Sequence, residues 1–214
     1  LTFLLGGKMS KIVVFLAPGF EEIEALSPVD YLRRAKQDVI LVALPVAGNF
    51  GRLVTSSHNV TLQADKTFEE FTAEIGSDLP DAVFVPGGMP GSKNVAAFAP
   101  ALDFIKKMFE QKKLVTAICA APVVVLAKTG VLAGKRYTCY PGMNENLAEY
   151  CGGDDVVAVA MEGAKHCPDE PFVVDGNVIT GRGAGAAEQF AMAMVEYLCG
   201  AETAAKIKEA TVQR

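Results

Sequence analysis

The 214-residue chain lacks a Cys-x-x-Cys pair, a block of basic residues, an apolar run long enough to span a bilayer, and any His-x-Glu after its first cysteine. Each absence removes a class of protein. The five cysteines, Cys119, Cys139, Cys151, Cys167 and Cys199, are odd in number and irregularly spaced, which fits neither a disulfide framework nor a structural zinc site. They imply a reducing, cytoplasmic compartment, and no metal is expected. Lys and Arg number 20 against 25 Asp and Glu, a net charge of −5, so a nucleic-acid surface built on phosphate neutralisation is excluded in favour of a small molecule or a protein partner. Residues 1–8, LTFLLGGK, are too short for a signal core or a membrane span and carry no charged leader; they are set aside as a remnant of processing or expression. Residues 9–214 are taken as a single domain, with ample length for a two-layer or three-layer core.

What is present alternates buried strand and helix. Residues 12–17 form a strand broken by Pro18-Gly19. Residues 21–35 take a helical period through Ile23, Leu26, Val29, Tyr31 and Leu32, with a kink expected at Pro28. Residues 39–44 give a second strand and 45–65 a hairpin-type excursion ending in a strand. A partly helical stretch follows at 67–75, then a strand at 82–85 closed by Pro86-Gly87-Gly88. Residues 101–111 carry the stripe Leu102, Ile105 and Phe109 of an amphipathic helix. Further on, 114–118 and 136–140 read as strands and 144–151 as a short helix. Residues 172–180 make a hairpin turning at Asp175-Gly176-Asn177, and 186–199 a long helix before a helical tail from Glu202. Repeated βα units with buried strands predict a parallel sheet covered by helices on both faces, with ligands outside the C-terminal ends of the strands.

The most informative stretch is LVTAICAAP, residues 114–122. Its β-branched run stops at Cys119, and Pro122 sits in the first turn of the helix that follows. The small Ala120 and Ala121 let the backbone turn sharply, which pushes residue 119 out at the sheet edge. Such a cysteine is either core packing or a reactive thiol, and for the second reading a helix N-terminus supplies N–H groups and a positive dipole end that favour thiolate. Two other loops should meet it. Gly87-Gly88 is either a plain turn or a pair of backbone donors that, with the N–H of Ala120, hold an oxyanion on a carbonyl attacked by sulfur. Glu21 and Glu22 suit a helix dipole, whereas Glu24 lies one turn further in, beside Ile23 and Leu26. Burial there would raise its pKa and keep it protonated, able to bond a thiolate or transfer a proton.

Four segments in collinear order, APGFEEIEALSPVDYLRRA, VFVPGGMPGSKN, TAICAAPVVVLAKTGVL and VITGRGAGAAEQFAMAMVE, resemble the ThiJ/PfpI superfamily, in its parkinsonism-associated (DJ-one) branch. The resemblance spans about residues 10–212. It implies a flavodoxin-like (Rossmann-like) three-layer α/β sandwich of class I glutamine-amidotransferase-like type, a homodimer, and an oxidation-sensitive nucleophile that falls on Cys119. The family's protonated glutamate falls on Glu24, its glycine N–H on Gly88 with Ala120 as second donor, and its Arg-Gly loop on Arg182-Gly183. Gly87, His58, Tyr140 and Pro141 complete the expected pocket. The chain departs from the pattern at two places: Tyr140-Pro141 stands where the branch commonly has His-Pro, and Cys119-Ala120 where protease-like members have Cys-His. His58 lies where relatives often carry an arginine, and His166 falls in the polar loop KHCPDE, which reads as solvated surface.

These readings lead to a cofactor-free enzyme acting on reactive dicarbonyls such as methylglyoxal, or on their adducts, of glyoxalase or deglycase type. The same residues also fit a redox sensor or chaperone in which Cys119 is oxidised to sulfinate. Glutamine-amidotransferase hydrolysis is set aside because it needs a late imidazole base.

Overall fold

The computed structural model describes residues 9–213, so the reading of residues 1–8 lies outside it. In chain order its elements are β1 (Lys11–Leu16), α1 (Glu22–Arg34), β2 (Asp38–Ala43), β3 (Leu53–Thr55), β4 (Thr61–Gln63), β5 (Lys66–Thr67), α2 (Phe68–Ile75) and β6 (Ala82–Val85). They continue as α3 (Gly91–Ala96), α4 (Ala99–Glu110), β7 (Leu114–Ile118), α5 (Ala127–Thr129), β8 (Arg136–Tyr137), α6 (Leu147–Cys151), α7 (Asp154–Ala160) and β9 (Lys165–His166). The chain closes with β10 (Phe172–Asp175), β11 (Val178–Gly181), α8 (Ala187–Cys199) and α9 (Ala201–Ala210).

Seven strands form one sheet in the order β10-β11-β7-β6-β1-β2-β5. All neighbours run parallel except the β10–β11 hairpin. The period-2 alternation of strand side chains decides the layering. Along β1, Val13 and Phe15 enter one core and Ile12, Val14 and Leu16 the other, all five fully buried. The first core is closed by Phe71 of α2, by Phe104, Ile105 and Met108 of α4, and by Val123 to Leu126 beyond β7. The second is closed by Val29 and Leu32 of α1 and by Phe190 and Met194 of α8. Each of these side chains contributes about 1.5–3 kcal/mol on burial, and a sheet apolar on both faces is stable only when covered twice. The result is the flavodoxin-like three-layer α/β fold.

The order also positions the site. From β1 the chain first moves one way, to β2 and β5, and then the other, to β6, β7 and β11, so the connection reverses between β1 and β6. In open α/β sheets the crevice at that reversal is where ligands bind. The loops after β1, β6 and β7 all open there.

Pro28 is buried within α1, and its ring excludes a bond to the Glu24 carbonyl one turn back. The local structure departs from the sequence reading at three places. The strand expected over 136–140 is two residues long and pairs in parallel with β9. The chain after Cys119 begins as a π-helical turn over Pro122–Leu126, in which the Ala127 N–H reaches the Pro122 carbonyl. The helices α3 and α7 have no counterpart in the sequence reading; α7 leaves Val156 and Val159 exposed and so shows no apolar stripe.

Candidate active site

Glu21 caps α1, its side chain accepting the Glu24 N–H at 2.6 Å. That cap fixes the first turn and directs Glu24 inward, where it is 1% exposed. Glu24 Oε2 accepts the Gly87 N–H at 3.0 Å. The same carboxyl is hydrogen-bonded to the Cys119 thiol and to the Ala184 N–H. One side chain therefore joins the loops that follow β1, β6, β7 and β11.

Cys119 is held on both sides of its backbone. Its N–H donates to the Gly181 carbonyl at 2.9 Å, and its carbonyl accepts the Tyr140 N–H at 2.8 Å. Between these bonds it takes φ 63°, a left-handed conformation that costs a residue with a Cβ about 1–2 kcal/mol. The strain turns the sulfur out of the strand toward the crevice, half-buried, where it accepts the N–H groups of Gly88 and Ala120. Gly87 has no room for a side chain. A Cβ there would lie 2.4 Å from Glu24 Oε2, 2.6 Å from the Cys119 Cβ and 2.9 Å from the Ile118 carbonyl. At Gly88, φ 91° and the close approach of the Glu21 nitrogen and Gly19 oxygen impose the same requirement.

Burial drives the Glu24 carboxyl up to about 7, the Glu21 charge adding to the rise while the Cys119 thiol and the Gly87 and Ala184 N–H groups oppose it. Burial also drives the Cys119 thiol upward, and charge on Glu24 drives it further; only the Gly88 and Ala120 N–H groups pull it down. The pull toward thiolate expected from a helix terminus is supplied here by the Gly88 and Ala120 N–H groups, and burial and charge on Glu24 oppose it. Above about pH 7 Glu24 and Cys119 hold one proton between them, and the titration belongs to the pair.

In front of the sulfur lies a cleft of about 570 Å³ lined by Gly88, Met89, Cys119, Ala120, Tyr140, Pro141 and residues of the 142–150 segment. Tyr140 and Pro141 thus stand where the resemblance puts them. Gly183 reaches the site by its backbone, a Cβ there falling 3.5 Å from the Tyr140 ring and 4.0 Å from Glu24 Oε1. Arg182 is half-buried and does not line the cleft; its N–H donates to the Pro171 carbonyl. His58 is also outside the cleft. It is exposed and pairs through Nδ1 with Glu22 Oε2 at 3.1 Å. These two and Glu21 bring three potential ligand atoms within 4.8 Å of one another, an exposed arrangement that the His58–Glu22 ion pair and the helix cap already account for.

Sequence reasoning missed several neighbours. The Ala184 N–H is a backbone donor with no side-chain signature. Met89, Met143, Glu145, Asn146 and Tyr150 line the cleft, and reading 144–151 as a short helix did not mark which of its side chains face it. His166 is half-buried against Cys139 and Tyr137, not solvated; burial lowers its pKa.

A parallel sheet that presents a cysteine at the elbow after a central strand, with a buried carboxyl from the first helix against the sulfur, defines an elbow-cysteine α/β protein. Within that class the chain belongs to the DJ-1/PfpI family, whose model matches residues 10–197. It is 37% identical over 195 residues to Drosophila melanogaster protein dj-1beta, covering 91% of this chain and 92% of that protein. The crystal structure of Drosophila melanogaster DJ-1beta matches with a TM-score of 0.79 at 33% identity, over 95% of this chain and 98% of that one. The glutathione-independent glyoxalase DJ-1 of Schizosaccharomyces pombe is 30% identical over 193 residues, 89% of this chain and 92% of that protein. Arabidopsis thaliana protein DJ-1 homolog B is 35% identical over 202 residues, 94% of this chain, which spans 41% of that protein's length.

Proposed function

We propose that the chain is a cofactor-free, cysteine-dependent enzyme acting on small reactive dicarbonyls such as methylglyoxal, or on their adducts. The observation that carries this reading is the single Glu24 side chain in contact with the Cys119 thiol, buried and titrating near 7. Charged Glu24 takes the thiol proton as Sγ bonds to the aldehyde carbon, and the oxyanion that forms faces the Gly88 and Ala120 N–H groups. Glu24 returns that proton to the oxygen. It then removes the hydrogen on the former aldehyde carbon to give an enediol, the hydroxyl proton passes to the neighbouring oxygen, and the carbon-bound hydrogen is delivered to the adjacent carbon, leaving a 2-hydroxy thioester that water cleaves to the hydroxy acid and free thiol. Dicarbonyl plus water equals hydroxy acid, so the sum is redox-neutral and requires no external electron acceptor. The glyoxalase name of the fission-yeast relative supports the same chemistry. Lactate release from methylglyoxal by Cys119→Ala and Glu24→Gln tests it; both variants are expected to lose turnover, and intact production in both would overturn the assignment.

The sensor reading draws on the same corner. Two N–H groups and a carboxyl already directed at Sγ can hold the oxygens of a sulfinate. Mass spectrometry after mild peroxide, asking whether Cys119 alone gains two oxygens, tests it.

A homodimer is the proposed assembly. Ile23 and Leu26 of α1, Leu53 and Val60 are exposed apolar side chains, and the β3–β4 hairpin is fastened to the start of α1 by the Ser57 N–H on the Phe20 carbonyl. Together these residues supply an apolar face for a second copy. The five free cysteines favour a reducing, cytoplasmic setting. No helix among the described residues is long and apolar enough to cross a membrane.

A further inference from the structure

The cleft has a floor and a wall that are held in different ways. Its floor, Gly88, Cys119 and Ala120, belongs to loops fixed to the sheet. Its wall includes Gly142, Met143, Glu145 and Asn146, on a single 3-10 turn over Met143–Asn146 that buries no residue. The wall's own bonds are local: the Glu145 N–H reaches the Gly142 carbonyl at 3.2 Å, and Asn146 Nδ2 reaches the same oxygen at 3.4 Å. Met143 and Leu147 pack against the core, a contact that is non-directional.

Residue 144 is the member of the 142–146 run that does not line the cleft. It faces the opposite way. Asn144 Oδ1 accepts the Tyr137 hydroxyl, and its backbone N–H donates to Cys139 Sγ. Both partners are buried, Tyr137 at 2% and Cys139 at 1% exposure. Behind them the His166 ring lies 5.3 Å from the Tyr137 ring, centroid to centroid, with Nε2 3.5 Å from Cys139 Sγ. One asparagine thus ties the turn to a buried polar cluster by two directional bonds, three residues beyond the Pro141 that lines the cleft.

We propose that Asn144, held by Tyr137, is the positioning residue that sets the width of the cleft and so how bulky a carbonyl compound reaches Cys119. With the tie in place the 142–146 wall is held at one position across the cleft from Cys119. Without it the turn moves outward, and a bulky aryl group gains in fit relative to a methyl group. For its substrates the inference rests on the dicarbonyl reading; a second readout does not.

The test compares wild type with Tyr137→Phe, Asn144→Ala and Asn144→Asp. In Tyr137→Phe and Asn144→Ala the ratio of kcat/KM for phenylglyoxal over methylglyoxal is expected to rise about tenfold, the scale of discrimination by one pocket contact. The change should come through KM, with kcat for methylglyoxal held. Asn144→Asp keeps an acceptor for the Tyr137 hydroxyl and should stay near wild type. In parallel, alkylation of Cys119 by N-phenylmaleimide relative to iodoacetamide, read on the Cys119 peptide by mass spectrometry, should rise in the same two variants. A shifted alkylation ratio in a protein without dicarbonyl turnover upholds the inference and removes the proposed function. Unchanged ratios in Tyr137→Phe, or an Asn144→Asp shift equal to that of Asn144→Ala, overturn it. If Asn144→Ala does not fold, Tyr137→Phe, which deletes one hydroxyl, decides alone.

Discussion

Glu24 Oε2 and the Gly87 nitrogen lie 3.0 Å apart in a buried hydrogen bond that joins the first helix to the loop after β6. The bond leaves no space around Gly87, where a Cβ would meet that oxygen at 2.4 Å and the Cys119 Cβ at 2.6 Å. Gly87→Ala must therefore displace the carboxyl or the thiol. Overpacking of this kind costs about 1–3 kcal/mol, and it separates the two groups that share the proton. The expected outcome is a lower urea midpoint together with a loss of Cys119 reactivity toward iodoacetamide larger than the stability change accounts for.

Stability should depend on pH through Glu24, with the opposite sign to an ordinary salt-bridged carboxylate. The folded chain holds this proton with a pKa of about 7 against 4.5 for the free side chain, so folding takes up a proton between those values. The stabilisation is fully present below about 4.5 and is lost as pH rises through 7, by at most about 3 kcal/mol. Urea unfolding at pH 5 and pH 8 should show wild type losing more stability over that interval than Glu24→Gln. Equal losses would mean that the carboxyl is not buried in solution.

The left-handed backbone at Cys119 has a separate thermodynamic signature. At φ 63° an alanine retains the Cβ penalty that a glycine lacks, so Cys119→Gly should be more stable than Cys119→Ala by about 1 kcal/mol, although glycine destabilises most other positions. A thermal melt of the two variants checks this. The strain belongs to the elbow, and neither variant has a thiol.

How much of this was legible in the sequence follows from which interactions leave a side-chain signature. Glu24 stood out as an acid one turn inside an apolar helix face, and Cys119 as the residue ending a β-branched strand; the sheet's parallel order followed from repeated strand-helix units. The Ala184 donor could not be read, since any residue supplies an N–H. Nor could the π turn at Pro122–Leu126, because PVVVL is equally compatible with an α-helix. The 142–150 wall was legible only as a short helix at 144–151, of which a 3-10 turn takes the first part and α6 the rest. His166 looked solvated because its neighbours in sequence are polar, whereas its partners Tyr137, on β8, and Cys139, just after it, lie almost thirty residues earlier.

The proposed dimer face predicts a clean change of assembly. Ile23 and Leu26 are 55% and 36% exposed on α1, and Glu24 between them points the other way, into the site. A charge placed at either apolar position would be desolvated in the interface without a partner, a cost of several kcal/mol, yet would sit harmlessly in water on a monomer. Leu26→Glu is expected to halve the mass measured by light scattering while leaving the melting temperature of the monomer close to that of dilute wild type.

Turnover should follow a bell-shaped pH profile set by the Glu24–Cys119 pair. If Glu24 and Cys119 hold one proton between them, the productive state is the singly protonated pair, whether the proton is drawn on oxygen or on sulfur. It forms as the pair loses its first proton, near the Glu24 value of about 7, and disappears when the second leaves at higher pH. kcat/KM should therefore rise through pH 7 and fall again in alkali, and both limbs belong to the free enzyme. Replacing the carboxyl with an amide removes the rising limb, because an amide neither takes the thiol proton nor carries the carbon-bound hydrogen to its neighbour. Glu24→Gln is expected to lower kcat by about 10²–10⁴, the usual contribution of a positioned proton-transfer group. Its residual activity should climb with pH only as the Cys119 thiol itself ionises. A Glu24→Gln enzyme that kept the rise through pH 7 would assign that proton to some other group and leave Glu24 a structural brace for Gly87.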